Sequence, residues 1–326
     1  MQEPLLRVKN LHTYFYTYVG QIKAVEDVSF TLNPGEMLGV VGESGCGKTV
    51  MARSLLRLIP DPPGRIVSGE ILFKDQSLLS LSEKEMQEIR GNQISMIFQE
   101  PMSSLNPVFT VGNQLSEVFT LHQKLNKKEA FESSLEMLRT VGIPSPEVRI
   151  HEYPFQLSGG MRQRVMIAMA LACRPHLILA DEPTTALDVT IQAQILDLIR
   201  QCQKDFGTAL ILITHDLGVI AEMVQRVLVM YTGKVLEQGS VEDLFNTPLH
   251  PYTEGLIQSI PSLDSELDKD SGPLREISGV VPDLSHLPRG CTFSPRCPRV
   301  MNICHQEAPP FVEIRPGHAV RCWLFN

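Results

Sequence analysis

The run Gly42-Glu43-Ser44-Gly45-Cys46-Gly47-Lys48-Thr49 has the spacing G-x-x-x-x-G-K-T. Gly42, Gly45 and Gly47 let the backbone turn tightly, so that the amides of the run, those of Ser44 and Cys46 included, can face one anion. Lys48 adds a point charge suited to the β- and γ-phosphates of a nucleoside triphosphate, and Thr49 a hydroxyl suited to Mg²⁺. A helix opening behind the loop would bring its positive end to the same place. Alone, the pattern would serve a kinase, a GTPase or a helicase, and without a strand before it and a helix after it would be a glycine-rich turn.

Two further runs narrow this. Leu177-Ile178-Leu179-Ala180-Asp181-Glu182 is an apolar strand ending in two acids. Such a strand presents its carboxylates at the carboxyl edge of an open α/β sheet, where ligands bind. Asp181 is suited to hold Mg²⁺ directly or through water, and Glu182 to polarise an attacking water. Taken alone the pair could equally be acids ahead of a helix that begins at Pro183. Leu157-Ser158-Gly159-Gly160-Met161-Arg162-Gln163 opens a long helix on Ser-Gly-Gly, a second anion site. One nucleotide needs one such cradle in its own chain. A second makes sense if it caps the γ-phosphate of a nucleotide held by another subunit.

These residues need a scaffold, and the sequence supplies one. Residues 5–32 alternate in short apolar and polar steps, as half-buried strands do. Asn33-Pro34-Gly35 is a turn, and Met37–Val41 is a buried parallel strand feeding the glycine loop. Val50–Leu58 continues as a helix until Pro60–Gly64 breaks it. Residues 112–152 read as helices with charged faces, Lys127–Val141 among them. Buried strands at Leu177–Ala180 and Ala209–Ile213 flank a helix around Ile191–Lys204. Strands alternating with helices imply an α/β fold with a mostly parallel sheet. After about Gly239, Pro and Gly become frequent and charges cluster in Asp264–Asp270, which reads as a linker before a small cysteine-bearing tail.

The chain has 326 residues with a formal charge of −8, a poor balance for non-specific nucleic-acid binding. No apolar run approaches the roughly 18 residues that span a bilayer, and the N-terminus lacks a signal region. A cytoplasmic protein is expected, able to work at a membrane through a partner.

Taken together, Gly42–Thr49, Leu157–Gln163 and Asp181–Glu182 resemble the ATPase subunit of an ABC transporter. That resemblance implies a RecA-like core, an N-terminal antiparallel β subdomain and a helical subdomain at about 100–165. It implies further roles. Gln99, in Ile97-Phe98-Gln99-Glu100-Pro101, resembles the glutamine that senses Mg²⁺ and the γ-phosphate. Asp188, in Ala186-Leu187-Asp188, resembles the D-loop aspartate that crosses the dimer interface. His215, after Ile211–Thr214, resembles the switch histidine. Phe15 best fits the aromatic that stacks on adenine, with Tyr14, Tyr16 and Tyr18 competing. Leu157, Ser158, Gly159, Gly160 and Gln163 would act on the nucleotide of the partner.

Phe98–Pro107, Gly159–Ala170, Ala180–Ala193 and His250-Pro251-Tyr252-Thr253 narrow the resemblance to ATPase subunits of the dipeptide/oligopeptide importers, a group that includes nickel and metallophore importers. The implied assembly is a heterodimer with a second ABC ATPase subunit, two transmembrane permeases and an extracytoplasmic binding protein, on the cytoplasmic face of the membrane and without nucleic acid. An ATPase domain over 1–245 and an extension over 246–326 are expected. Asp264–Glu276 is the stretch least typical of the group. A soluble ABC ATPase acting on ribosome or DNA would need a second module or a long coiled coil, and an iron–sulfur regulator would need a sensor or nucleic-acid segment; the sequence has none of these.

The tail reads Cys291-x5-Cys297-x6-Cys304-x17-Cys322. In a reducing compartment four crowded thiols favour a metal over disulfides, either a [4Fe–4S] cluster or tetrahedral Zn²⁺, with free thiols as the remaining reading. The spacing lacks C-x2-C knuckles, and the resemblance favours the cluster. Cys46 reads as a small loop residue, and Cys173 and Cys202 as helix-packing residues.

Overall fold

A computed structural model of the chain describes residues 3–18, 20–185, 187–260 and 277–326. Its strands run, in chain order, β1 (Leu6–Thr17), β2 (Gly20–Leu32), β3 (Met37–Val41), β4 (Gly64–Phe73), β5 (Gln76–Ser77), β6 (Ile94–Ile97), β7 (Leu177–Asp181), β8 (Ala209–Ile213), β9 (Arg226–Tyr231), β10 (Lys234–Ser240), β11 (Val312–Arg315) and β12 (His318–Val320). The chain divides into two compact units. The loop unit comprises Leu6–Thr31, Leu38–Gln76 and Thr214–Asn326. The signature unit comprises Ser77–Ile213 with Leu32–Met37 and the N-terminal residues to Leu5.

In the loop unit, β2-β1-β4-β5 form one sheet, with β1 antiparallel to β4 from Leu6 opposite Phe73 to Phe15 opposite Gly64. Leu6, Val8, Leu11 and Thr13 are buried along β1, which gives the alternating pattern seen in the sequence its physical meaning. A second set of strands runs β11-β12-β10-β9-β3, with β3 parallel to β9. All of β3 is buried, as a parallel strand covered on both faces must be. Between β9 and β10, Thr232 (φ 44°) and Gly233 (φ 81°) make the two-residue hairpin turn that needs positive φ at both positions.

The helix behind the glycine loop spans Lys48–Leu55 and buries Met51, Ala52 and Leu55. It stops short of the expected Leu58. Arg57 turns left-handed (φ 53°), its amide bonds Ser54 O (3.0 Å), and the Leu58 amide bonds Arg53 O (2.8 Å), closing the helix end before Pro60.

The expected linker after Gly239 is folded instead where it is described. Ser240 caps a helix over Val241–Asn246 through its bond from the Asp243 amide. His250 caps another over Pro251–Gln258, with Pro at the first helical position. The tail hairpin β11–β12 then adds to β10, with Glu237 opposite Val320. The charged run Asp264–Asp270 and the wider stretch to Glu276 lie outside the described residues.

In the signature unit, β8-β7-β6 are parallel and buried throughout, with Ile97 opposite Ala180 and Asp181 opposite Ile213. Helices over Val111–Gln123 and Lys127–Thr140 pack on each other and on the helix Gly159–Leu171. The last is apolar nearly all round and buries Val165, Met166, Ile167, Ala168, Ala170 and Leu171, the pattern of a core helix. Val189–Phe206 is one-sided by contrast, burying Ile195, Leu196, Ile199 and Cys202. Among the described residues no helix is long and apolar enough to cross a membrane.

Candidate functional site

The glycine loop leaves β3 and is locked by close backbone approach. A Cβ on Gly42 would stand 2.2 Å from Met230 O, and one on Gly47 would stand 2.1 Å from Ala24 O, where Gly47 also has φ 99°. No side chain fits either place, which is why the pattern demands glycine there. The loop closes around Lys48. This side chain is 5% exposed, and its Nζ donates to Gly42 O (2.7 Å) and Glu43 O (3.1 Å). A buried ammonium held by two neutral carbonyls and the Cys46 sulfur (3.7 Å) still favours an anion beside it. Ser44 and Gly45 lie exposed at the tip. Cys46 points inward, 1% exposed, and its carbonyl accepts from the Gly233 amide (2.9 Å). Burial pushes its thiol up, against the pull of Lys48. Thr49 is half-buried at the start of the helix.

Phe15 lies two residues from Thr13, whose hydroxyl meets Ser54 Oγ on the loop helix at 2.8 Å. Alternation puts Phe15 on that same face of β1. Its ring sits where a Cβ on Gly64 would reach within 2.7 Å. Tyr14 and Tyr16 take the opposite face, Tyr14 edge-on to His12 with Lys23 over its ring. Tyr18 is wholly exposed. His215 is exposed and held on both sides: the Thr214 amide donates to Val40 O (3.2 Å), two residues before Gly42, and the Asp216 amide to Thr214 Oγ1 (3.0 Å).

The signature unit brings a second set together. Asp181, 1% exposed, ends β7. Glu182 follows with φ 47°, a left-handed backbone costing about 1 kcal/mol for a residue with a Cβ. Its amide donates to Ile213 O (2.9 Å). Gln99 Nε2 (3.1 Å) and Thr185 Oγ1 (2.8 Å) both donate to Glu182 Oε2. Gln99 and Glu182, 83 residues apart in sequence, therefore meet. Thr185 was not singled out by sequence reasoning; its place three residues after Glu182, inside the Pro183-Thr184-Thr185 turn, is the signal that could have found it.

Ser158 caps the helix Gly159–Leu171, its Oγ accepting from the Met161 amide (3.3 Å). Ser158 and Gly159 are exposed, so this helix start is open to an approaching molecule. A Cβ on Gly160 would stand 3.0 Å from the Ile191 side chain, so glycine here lets two helices close. Leu157 and Gln163 are different. They are 4% and 2% exposed, and Gln163 Nε2 donates to Pro183 O, directly after Glu182. Both side chains are packed inside their own unit, and Gln163 supports the Glu182 turn. Asp188 caps the helix Val189–Phe206 through its bond from the Ile191 amide (3.0 Å) and is exposed. Ala186 lies outside the described residues.

In the tail, Cys291, Cys304 and Cys322 are buried, Cys297 is half-buried, and none is in a disulfide. The Cys291 amide donates to Cys304 O (2.8 Å), and a Cβ on Gly290 would stand 2.3 Å from that same carbonyl. Burial pushes the Cys291 thiol up to about 11, and Cys304, Cys322 and Cys297 all add to the rise. The four thiols thus share one neighbourhood. Among the described residues, however, no group of three or more His, Cys, Asp or Glu side chains stands close enough to hold a metal ion.

Residues 25–185 match the ABC transporter family, and residues 236–304 match the oligopeptide/dipeptide transporter C-terminal region. A probable peptide ABC transporter ATP-binding protein of Sinorhizobium fredii (strain NBRC 101917 / NGR234) is 54% identical over 99% of this chain and 95% of its own length. The dipeptide transport ATP-binding protein DppD of Bacillus subtilis (strain 168) is 51% identical over 99% of this chain and 95% of its own. Among solved structures, the ATP-binding cassette MJ0796, a dimer bound to ADP and Pi, superposes with a TM-score of 0.65 at 27% identity, covering 72% of this chain and 98% of that one. With the glycine loop, the open Ser158 cradle and the Gln99–Glu182 pair in place, these similarities show that the chain belongs to the family of ATP-binding subunits of peptide ABC transporters, ATPases coupled to transport.

Proposed function

We propose that this chain powers peptide import by closing on ATP against a second ATPase subunit. The observation that carries this is the exposed helix start at Ser158–Gly159 in a chain that already has a phosphate loop at Gly42–Thr49. In this scheme Gly42–Thr49 holds the triphosphate with Lys48 on its β- and γ-phosphates, and Phe15 stacks on adenine. Ser158, Gly159 and Gly160 cap the γ-phosphate of the partner's nucleotide, with Asp188 at the dimer interface. Thr49, Gln99 and Asp181 are assigned to Mg²⁺; they are oxygen donors, as that hard cation requires.

Glu182 orients a water on the γ-phosphorus and takes its proton. The bond from that phosphorus to the bridging oxygen breaks, and ADP leaves with the electron pair. His215 contacts the γ-phosphate. Closure binds nucleotide more tightly than the open pair does, and that difference shifts two permease subunits between their states. Loss of the γ-phosphate reopens the pair. An external binding protein delivers the peptide, and the chain sits at the cytoplasmic face of the membrane.

Among the described residues no group of three or more stands close enough to hold a metal ion. The family resemblance is what favours, on Cys291, Cys297, Cys304 and Cys322, a [4Fe–4S] cluster over Zn²⁺. When bound it would staple a tail with little core of its own. Iron and sulfide analysis of anaerobically purified protein tests this, and stoichiometric zinc without iron sinks it.

For the main reading, Glu182→Gln in the assembled transporter should hold ATP in a closed pair and cut turnover at least about 100-fold. Turnover at the native rate would remove Glu182 from the chemistry.

A further inference from the structure

Glu43 is the first variable residue of the phosphate loop, and the tail holds it twice. Its amide donates to Tyr252 Oη at 2.9 Å. Its carboxylate accepts two parallel bonds from Arg296, Nη1 to Oε2 at 2.6 Å and Nη2 to Oε1 at 3.0 Å. A fork of this kind fixes orientation as well as distance. Arg296 is itself immobilised. Its side chain is 3% exposed, and its Nε donates to Ser278 O (3.1 Å). Nη2 also reaches Ile277 O (3.1 Å), and Nη1 reaches Tyr231 Oη (3.4 Å).

Behind this contact stands a buried aromatic cluster. The Tyr231 ring centroid is 4.7 Å from that of Tyr252 and 5.4 Å from that of Phe293. Thr232 Oγ1 donates to Thr292 Oγ1 at 2.7 Å in the same buried layer. Tyr231 follows Met230, whose carbonyl excludes any side chain at Gly42. Phe293 and Arg296 lie between Cys291 and Cys297. One short path therefore runs from the cysteine segment through Arg296 to the phosphate loop.

Pairs exposed to water contribute little, because solvent and salt screen them. This one is shielded on the Arg296 side, 3% exposed, and half-buried on the Glu43 side, 30% exposed. Of the loop's amides, that of Glu43 is taken by Tyr252 Oη, which fixes the first peptide of the loop.

We propose that Arg296 and Tyr252 are positioning residues for the phosphate loop, so that the cysteine tail and the nucleotide site form one linked equilibrium. Ordering the tail raises nucleotide affinity, and nucleotide orders the tail to the same degree, because such coupling is reciprocal. The proposal rests on Gly42–Thr49 being the nucleotide site.

The test uses the full chain and a non-hydrolysable ATP analogue. Affinity is measured by calorimetry, and amide hydrogen exchange is followed over residues 291–304. Tyr252→Phe removes one oxygen and keeps the ring cluster. Glu43→Gln keeps the side-chain shape and removes the charge that faces Arg296. In the wild type, saturating analogue should slow exchange over 291–304. Each variant should bind the analogue about tenfold more weakly, within the usual range of site coupling, and lose that slowing at saturation. Wild-type affinity in both variants, or slowing that survives Glu43→Gln, overturns the proposal. A wild type that binds no analogue overturns it together with the reading of the loop, and is told apart by that lack of binding.

Discussion

The two proposed phosphate cradles are built from the same parts, a serine- or glycine-rich turn at the start of a helix, and they differ in what closes them. Gly42–Thr49 is enclosed by its own unit. Backbone carbonyls of Ala24 and Met230 stand where side chains would be, and the Lys48 ammonium is buried inside. Ser158–Gly160 is open. Its serine caps the helix and its first glycine faces solvent, while the charge nearest along the helix, Arg162, donates back to Leu157 O (2.6 Å). In the proposed scheme each nucleotide lies between the first cradle of one chain and the second cradle of another, which would tie hydrolysis to closure.

Changes to each cradle should therefore read out differently. The largest effect is expected from Gly47→Ala. The added carbon would press on Ala24 O at a backbone conformation that disfavours any side chain. Nucleotide binding should fall below detection by calorimetry, and the melting curve should show a loss of about 3 kcal/mol; retention of native affinity would mean that the loop is not held by its walls.

An intermediate effect is expected on acidification, and it should act on the loop unit. Burial pushes the His250 imidazole down to about 3, with Arg299 nearby adding to the drop. The folded form thus takes its proton later than the unfolded chain. Stability is full above about pH 6.5 and is lost as pH falls toward 3, by about 2 kcal/mol at pH 5. Urea melts at pH 7 and pH 5 measure this, and His250→Asn, which keeps a capping side chain, should flatten the difference. An equal slope in the variant would place the acid sensitivity elsewhere.

The smallest effect is expected from Ser158→Ala in the isolated chain. Losing the cap should cost about 1 kcal/mol and leave nucleotide affinity within about twofold. The assembled transporter should lose most of its turnover. A matching loss of affinity in the single chain would make the second cradle part of the same chain's site.

Much of this was legible before any coordinates, for reasons that differ by residue. Met37–Val41 and Ala209–Ile213 were read to the residue because short apolar runs bounded by turn residues have few other solutions. The phosphate loop was legible because its glycines answer to backbone collisions that no other residue type survives. The bond of the Gln163 side chain to Pro183 O was not legible, because a motif gives residue types and spacing and not the partner each side chain takes. The folded stretch after Gly239 was missed because its helices are short and start from caps, Ser240 and His250, that composition hides among prolines and glycines. The bonds of Glu43 to Tyr252 and Arg296 span 209 and 253 residues and left no local trace.

The hairpin β11–β12 has one more consequence, for solubility. Without it, β10 would end its sheet with a row of unpaired amides and carbonyls, the kind of border along which identical chains stick together. β12 covers that border and is buried, whereas β11, the new outermost strand, carries exposed Glu313 and Arg315. Charge on an outer strand discourages further pairing. The hairpin thus leaves a charged border in place of the bare edge of β10, and its removal should raise aggregation, read by light scattering.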